Sequence, residues 1–480
     1  MTGAARAGEP TRLLTVTMLG IAAGSILVPI NSTMLAVALP SVMDTFGVDA
    51  ATVASLVTLY LGTVAVSLPA SGSLGDRFGH RRMFLVGVAA FGLASLLAAA
   101  AGSFPILAIS RVLQGVSGSL VSTSSIALVR AEAPADRRGA AFGLFDMLVS
   151  VSAAVGPLAG GLIVGAFGWR AMFFVAAPVA LLAALLVGVV APPRLTTTLV
   201  GTDGRPVSPR PIDVPGLAIL GLALVALLVA LRGSAIGVAG TIAMIAVVPA
   251  FVAFVVVELR ATSPAVDPRL FRSVPFAAAV GGVFGATVVL HGCFLLVPLL
   301  VERLQGGSPE ATGLVLLGIS ALWAVAAPYG GRISDRLGRR LPAVVGMAAT
   351  GAALALLWLV APTASLVVIG AALSIVGFGM GLSGSPRQAA ALETVGPERV
   401  GMAAGTYYTG RYLGGVVGAS LAGAVLGTTV TGEGVALGFG ILTLAAVIVV
   451  VVSMGLPGRA AAPRSRSAVR PTPTPSSATD

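Results

Sequence analysis

The chain has 480 residues, of which 56% are hydrophobic and 10% charged, against about 45–50% and about 25% in soluble globular domains. With a mean hydropathy of +1.01, so much apolar surface is satisfied only by lipid and by other apolar helices, which excludes a set of soluble domains. The net charge of +11 comes from 29 basic residues, every one of them Arg, against 18 acids. They sit in short clusters between apolar runs, which excludes a continuous nucleic-acid-binding face. One Cys and two His allow neither an intrachain disulfide nor a metal cluster, and no cofactor is implied.

A membrane-crossing helix needs about 20 apolar residues for about 30 Å of hydrocarbon. On that measure residues 1–12 form a polar N-terminus, and the first six spans fall near 13–39, 51–73, 83–102, 105–130, 139–166 and 170–191. The first apolar run is too long for the core of a signal peptide and reads as an uncleaved span. A polar, Pro-rich linker at 192–212 follows, then two spans near 213–232 and 236–258. Six more lie near 275–303, 309–332, 341–360, 364–392, 401–428 and 435–456, and the tail 457–480 has the Pro, Ser, Thr and Arg content of a disordered segment. The expected architecture is an all-α membrane protein of fourteen spans: a six-helix bundle at 13–191, an inserted pair at 213–258 and a second six-helix bundle at 275–456.

Counting Arg orients it. With the N-terminus inside, 24 arginines (Arg387 among them) fall on the inner side, only Arg170, Arg232 and Arg303 in outer loops, and Arg111 and Arg411 inside helices. Basic loops stay in the cytoplasm, so both termini are expected there.

Two turns repeat one another. Gly72, Asp76, Arg77 and Gly79 lead into Arg81 and Arg82; Gly331, Asp335, Arg336 and Gly338 lead into Arg339 and Arg340, 259 residues later. Each joins one apolar segment to the next on the expected inner side. A duplicated, basic, Gly-marked turn points to two related halves that move against each other around a central path, the architecture of secondary transporters. Asp76, Arg77, Arg81, Asp335, Arg336 and Arg339 are the expected gating residues, with charge-assisted hydrogen bonds that form in one state and break in another. The alternative is that these charges only fix topology.

These turns resemble the loop signature of the major facilitator superfamily, present in both halves. Arg111, Gln114, Gly115 and Gly118 resemble its fourth-helix motif, and Gly143, Gly156, Pro157, Gly160 and Gly161 its fifth-helix antiporter motif, with Ser152 where Gly is usual. The stretch from Pro29 to Pro40 resembles the first-helix motif of the fourteen-helix drug:proton antiporters, and Trp169-Arg170 and Gly306 to Pro309 also fit that family. The resemblance implies export of drug-like or amphipathic molecules against protons. One departure is Asn31, where that family's motif usually has Asp: an amide carries no proton.

Ionisable groups within a membrane are costly and mark function by default. Arg111 is expected to bond a substrate or a first-helix group such as Asn31, with Gln114 on the same helix face. Arg411 lies mid-span beside Tyr407, Tyr408 and Tyr412, an aromatic and cationic patch expected to face substrate, although one helix cannot turn all three rings into one cavity. Asp146, about 10 Å inside its helix, is the candidate proton carrier by elimination. His291 is expected to bond a nearby carbonyl, and Glu302 to lie near the outer mouth. No phosphate-binding loop of the Walker type is possible without Lys.

The sequence therefore reads as a monomeric secondary active exporter in the cytoplasmic membrane of a bacterium, whose partners are a small molecule, protons and lipid, and no nucleic acid. A nutrient facilitator or symporter, and a receptor or scaffold without transport, remain as alternatives.

Overall fold

Helices α1 (Glu9–Phe46), α2 (Ala50–Phe78), α3 (His80–Ala99), α4 (Phe104–Glu132), α5 (Arg138–Phe167) and α6 (Trp169–Leu185) follow one another with short connections. After them come α7 (Val214–Leu231) and α8 (Val238–Arg260), then α9 (Val274–Pro298), α10 (Pro309–Leu337), α11 (Arg340–Val360), α12 (Leu366–Glu393), α13 (Val400–Leu426) and α14 (Gly432–Ser453). The computed structural model describes residues 9–132, 138–190, 213–231, 238–262, 264, 266–395, 400–427 and 429–458. The expected N-terminus at 1–12, the linker 192–212 and the tail from 457 therefore lie almost wholly outside the described residues.

All of the regular structure among the described residues is helical. Twelve of the helices are long and apolar enough to cross a membrane; the other two are α7, whose qualifying apolar stretch is Val214–Leu227, and α13. Where side chains of short loops are available they cap the helices. Asp49 accepts from the Thr52 amide at the start of α2, Ser308 from Ala311 at the start of α10, and Thr431 from Gly434 at the start of α14, which satisfies amides that helices leave open. The repeated turns are alike in backbone as well as sequence: Gly79 (φ 89) ends α2 and Gly338 (φ 88) ends α10, a region that a residue with a Cβ rarely enters.

The packing is duplicated as the sequence is. In the first half α1 packs on α5 and α6, α2 on α4, and α3 on α4 and α6; in the second, α9 packs on α13 and α14, α10 on α12, and α11 on α12 and α14. The halves meet chiefly through two reciprocal contacts, α5 with α10 and α13 with α2, and α1 also touches α9 and α10. Helices α7 and α8 pack chiefly on one another, with α7 also touching α2 and α13; much of α8 exposes Ile242, Met244, Ile245 and Val248, as a helix at a lipid boundary does. Helix faces in contact carry small residues, which allow close approach where lipid provides no hydrophobic contrast.

Candidate functional site

The interface between the halves is closed at one end and open at the other. At the end away from the repeated turns, a Cβ on Gly161 of α5 would lie 2.5 Å from Pro309 O and 3.2 Å from the Gly313 Cα of α10, and one on Gly313 2.6 Å from Pro157 O. Beside this seam, a Cβ on Gly423 of α13 would lie 2.8 Å from Ala54 Cβ of α2. Across the same end, Arg303 Nη2 donates to Asp44 Oδ1 (2.6 Å) and to Pro40 O (2.9 Å). Toward the repeated turns, a Cβ on Gly72 of α2 or Gly405 of α13 would meet nothing within 4 Å. Helices α2 and α13 therefore converge at one end and part at the other, leaving a space between the halves that opens on the side of the repeated turns.

Within the first half, the polar groups predicted for the substrate path form one network. Arg111 is fully buried; its Nη1 donates to Asn31 Oδ1 and to Gln114 Oε1 (both 2.6 Å), and its Nε to Leu56 O (3.3 Å). The guanidinium lies 4.3 Å from the centroid of the Tyr60 ring, Gln114 Nε2 donates to Ser95 Oγ (2.9 Å), and the Tyr60 hydroxyl donates to Val28 O (3.2 Å). Gly115 makes the seat: a Cβ there would lie 2.7 Å from Thr63 Cβ and 2.9 Å from Tyr60 O. Helices α1 to α4 are thus tied together around one cation, whose acceptors on Leu56, Asn31 and Gln114 are all neutral. Of the two partners expected for Arg111, the structure places Asn31; in this conformation Asn31, Arg111 and Gln114 are buried rather than lining the open space.

The second half divides the tyrosines. Tyr407 is buried against α9 and α12, where it hydrogen-bonds Arg387, while Gln388 Nε2 donates to the Tyr408 hydroxyl (3.2 Å). Arg411 is exposed, and Tyr412 is partly buried within electrostatic reach of Tyr60 in the other half. Thr287 Oγ1 donates to the Arg411 carbonyl (2.8 Å), fixing α13 on α9. His291 Nδ1 lies 3.1 Å from Thr287 O, the local carbonyl contact expected for it.

The fifth-helix motif is a packing device on both sides. A Cβ at Gly156 would run into Thr33 of α1 and one at Gly160 would lie 3.0 Å from Met34 Cα, while Gly161 and Pro157 face α10. The Asp146 side chain lies outside the described residues.

The repeated turns differ from expectation in their partners. Asp76 is expected beside Arg81 and Arg82, but its Oδ1 lies 3.1 Å from His80 Nε2, and Arg81 Nη2 donates instead to Gly188 O (2.7 Å) after α6. The chain reverses at Gly79 (φ 89) between α2 and α3, which turns His80 back onto Asp76 and directs Arg81 to the Gly188 carbonyl. In the second turn Arg339 Nη1 bonds Asp335 Oδ1 (2.7 Å), and its Nη2 bonds Glu393 Oε1 (2.6 Å) at the end of α12; this bond to Glu393, then that to Asp335, holds the Arg339 pKa above its ordinary value. Arg77 and Arg336 are exposed. Among the described residues the bonds of the turns stay within their own half, so in this state they brace each bundle on the open side.

Three functional groups escaped sequence reasoning. Arg387, counted there among the inner-side arginines, is a buried residue of α12, 2% exposed, whose Nε and Nη1 have no hydrogen-bond partner among the described residues. Arg303 and Asp44 looked like loop charges, and only their 259-residue reach across the halves makes them a pair. Glu302, expected near the outer mouth, accepts from Thr312 Oγ1 (2.9 Å) at the closed end.

The family model described as Major Facilitator Superfamily matches residues 21–419. The chain belongs to the major facilitator superfamily. Among curated relatives, this superfamily member is 36% identical over 343 residues to the tetracenomycin C resistance and export protein of Streptomyces glaucescens, covering 70% of this chain and 62% of that one. It is 30% identical over 424 residues to the multidrug resistance protein Stp of Mycobacterium tuberculosis, covering 87% and 76%. The chain thus spans less than two thirds of the first relative's length. Among solved structures, a bacterial homolog of the human lysosomal transporter Spinster, in an inward-facing and occupied conformation, superposes with a TM-score of 0.66 at 14% identity, over 91% of this chain and 95% of that one; at that identity the likeness is one of fold. Membership in this transporter superfamily, with twelve helices fit to cross a bilayer, makes the protein a multi-pass protein of the cell membrane.

Proposed function

We propose that this chain is a secondary active exporter of drug-like or amphipathic small molecules that works by alternating access, with protons as the counter-ion. The observation that carries the reading is the one-sided opening between two duplicated bundles. Contacts at Gly161, Gly313, Gly423 and Arg303 close one end, and Gly72 and Gly405 face no neighbour at the other. Relatives named for tetracenomycin C export and for multidrug resistance support the direction and the cargo class. In this reading all fourteen helices cross the membrane. At 18 and 27 residues, α7 and α13 have the length a crossing needs; Gly, Tyr and Arg lower the hydropathy of α13 because it lines the path. Both termini are cytoplasmic, the open space faces the cytoplasm, and the two bundles (13–191 and 275–456) rock about the pair at 213–258.

In this proposal Arg411 and Tyr408 face the substrate path, and the buried Tyr407, Asn31, Arg111 and Gln114 form the walls behind it; Gly156, Pro157, Gly160 and Gly161 are the hinge seam. The repeated turns act as gates on the cytoplasmic side, and Asp146 carries the proton. Purified chain in proteoliposomes tests the reading: an imposed pH gradient should drive a xanthene or acridine dye against its concentration gradient. Dye that only equilibrates with its gradient makes the chain a facilitator, and no flux under any gradient makes it a receptor or scaffold.

A further inference from the structure

Between α9 and α2 the open space has one exposed cation. On α13, Gly410, Gly414 and Gly418 face α9: a Cβ at Gly410 would lie 2.9 Å from Val280 Cγ1, and at Gly418 2.7 Å from Val288 Cα. Gly415 and Gly423 face α2: their Cβ atoms would lie 2.8 Å from Leu61 Cδ1 and from Ala54 Cβ. At 100° per residue, position 411 falls between these two directions, so the exposed Arg411 side chain is turned into the gap between the halves and away from lipid. Its depth is about 17 Å from the start of α13 at about 1.5 Å per residue, near the middle of the bilayer. Tyr408 points the same way, with its hydroxyl on Gln388 (3.2 Å), and Tyr412 reaches toward Tyr60 across the gap.

Among the described residues no carboxylate lies on this face: the acidic side chains of the helices lie in first or last turns, as those of Asp44, Asp76, Glu258, Asp335 and Glu393 do. Behind the Tyr408 and Arg411 face, the buried Arg387 hydrogen-bonds the neutral Tyr407, and its Nε and Nη1 have no hydrogen-bond partner among the described residues. Across the gap Arg111 bonds the neutral oxygens of Leu56, Asn31 and Gln114. Three guanidinium groups with no carboxylate partner among the described residues leave this region positive.

We propose that Arg411, flanked by the Tyr408 and Tyr412 rings, binds the negative group of an aromatic organic anion, such as a carboxylate, phenolate or sulfonate, and that such anions are the substrate class of this chain. The inference rests on the exporter reading for transport, but not for binding. The guanidinium fork takes an oxyanion by paired charge-assisted bonds, the rings cover the aromatic body, and Arg387 holds the positive potential behind them. An organic cation meets like charge at this site, and no acid among the described residues.

Fluorescein and rhodamine 123 share a xanthene body and differ in the sign of their charge, so the pair tests the assignment. Fluorescence anisotropy on the purified full chain should give fluorescein at least tenfold tighter binding than rhodamine 123. Arg411→Gln, at an exposed position, should weaken fluorescein about 10- to 150-fold, the loss of a charge-assisted bond, and should not weaken rhodamine 123, which loses a like charge; Arg411→Lys should recover part of the fluorescein loss. Tighter rhodamine 123 binding, binding of neither dye, or fluorescein affinity within twofold in Arg411→Gln overturns the anion site. If fluorescein binds through Arg411 yet neither dye crosses proteoliposomes, the site stands and the exporter reading falls; if rhodamine 123 is pumped and fluorescein is not, the exporter stands and the anion assignment falls.

Discussion

Gly161→Ala should open the closed end. The added Cβ would lie 2.5 Å from Pro309 O and 3.2 Å from the Cα atoms of Glu310 and Gly313. All three are backbone atoms of α10 and cannot turn aside as a side chain would, so relief requires α5 and α10 to separate. Overpacking of this kind costs about 1–3 kcal/mol. The cost falls only on the state in which these helices touch, so it shifts the population about 5- to 150-fold toward the state open at this end. Phe167 on α5 and Leu314 on α10 are 79% and 59% exposed, suited to spin labels that leave the seam intact, and the lone native Cys293 is buried. Double electron–electron resonance between labelled Phe167→Cys and Leu314→Cys should give a short distance in the parent chain and a growing long-distance population with Gly161→Ala. As a control, Gly405→Ala, whose Cβ would meet nothing within 4 Å, should not reduce the short-distance population. An unchanged distribution in Gly161→Ala, with folded protein, would refute the argument that this contact holds the closed end.

Arg111→Ala should lower thermal stability, since Asn31 Oδ1 and Gln114 Oε1 each lose a 2.6 Å donor at about 1–3 kcal/mol per buried unsatisfied group; a melting temperature within a degree of the parent in a detergent unfolding scan counts against the network. Asp76→Asn, which weakens the contact with His80 (3.1 Å), should slow dye flux in proteoliposomes while leaving dye affinity unchanged, and loss of affinity with full turnover would show that the turn binds rather than gates. Asp146→Asn should abolish dye accumulation driven by a pH gradient yet permit downhill exchange; continued accumulation excludes Asp146 as the proton carrier.

The two repeated turns were legible because they are local. Gly79 and Gly338 announce a backbone that other residues avoid, and the arginines that follow mark a side of the membrane. The helix ends were legible for a related reason: an apolar run must be long enough to cross hydrocarbon, and charged or Pro-rich stretches must stop it. Which face of each helix meets which neighbour was not written in the same way. A helix apolar all round has no periodicity to betray its contacts, so Arg387 could not be told from a loop arginine, nor Tyr407 from Tyr408. Asp44 and Arg303 are ordinary terminal charges until two half-proteins fold and bring them to 2.6 Å. Asp76 shows the limit at short range, since its choice of His80 over Arg81 depends on the turn's geometry and on Gly188 drawing Arg81 away. Sequence alone determined the helices, their repeat and the chemistry available at each depth. Tertiary structure decided which cations are spent inside a bundle, as Arg111 is, and which stay exposed, as Arg411 does, because that depends on side-chain direction set by contacts with helices far away in the chain.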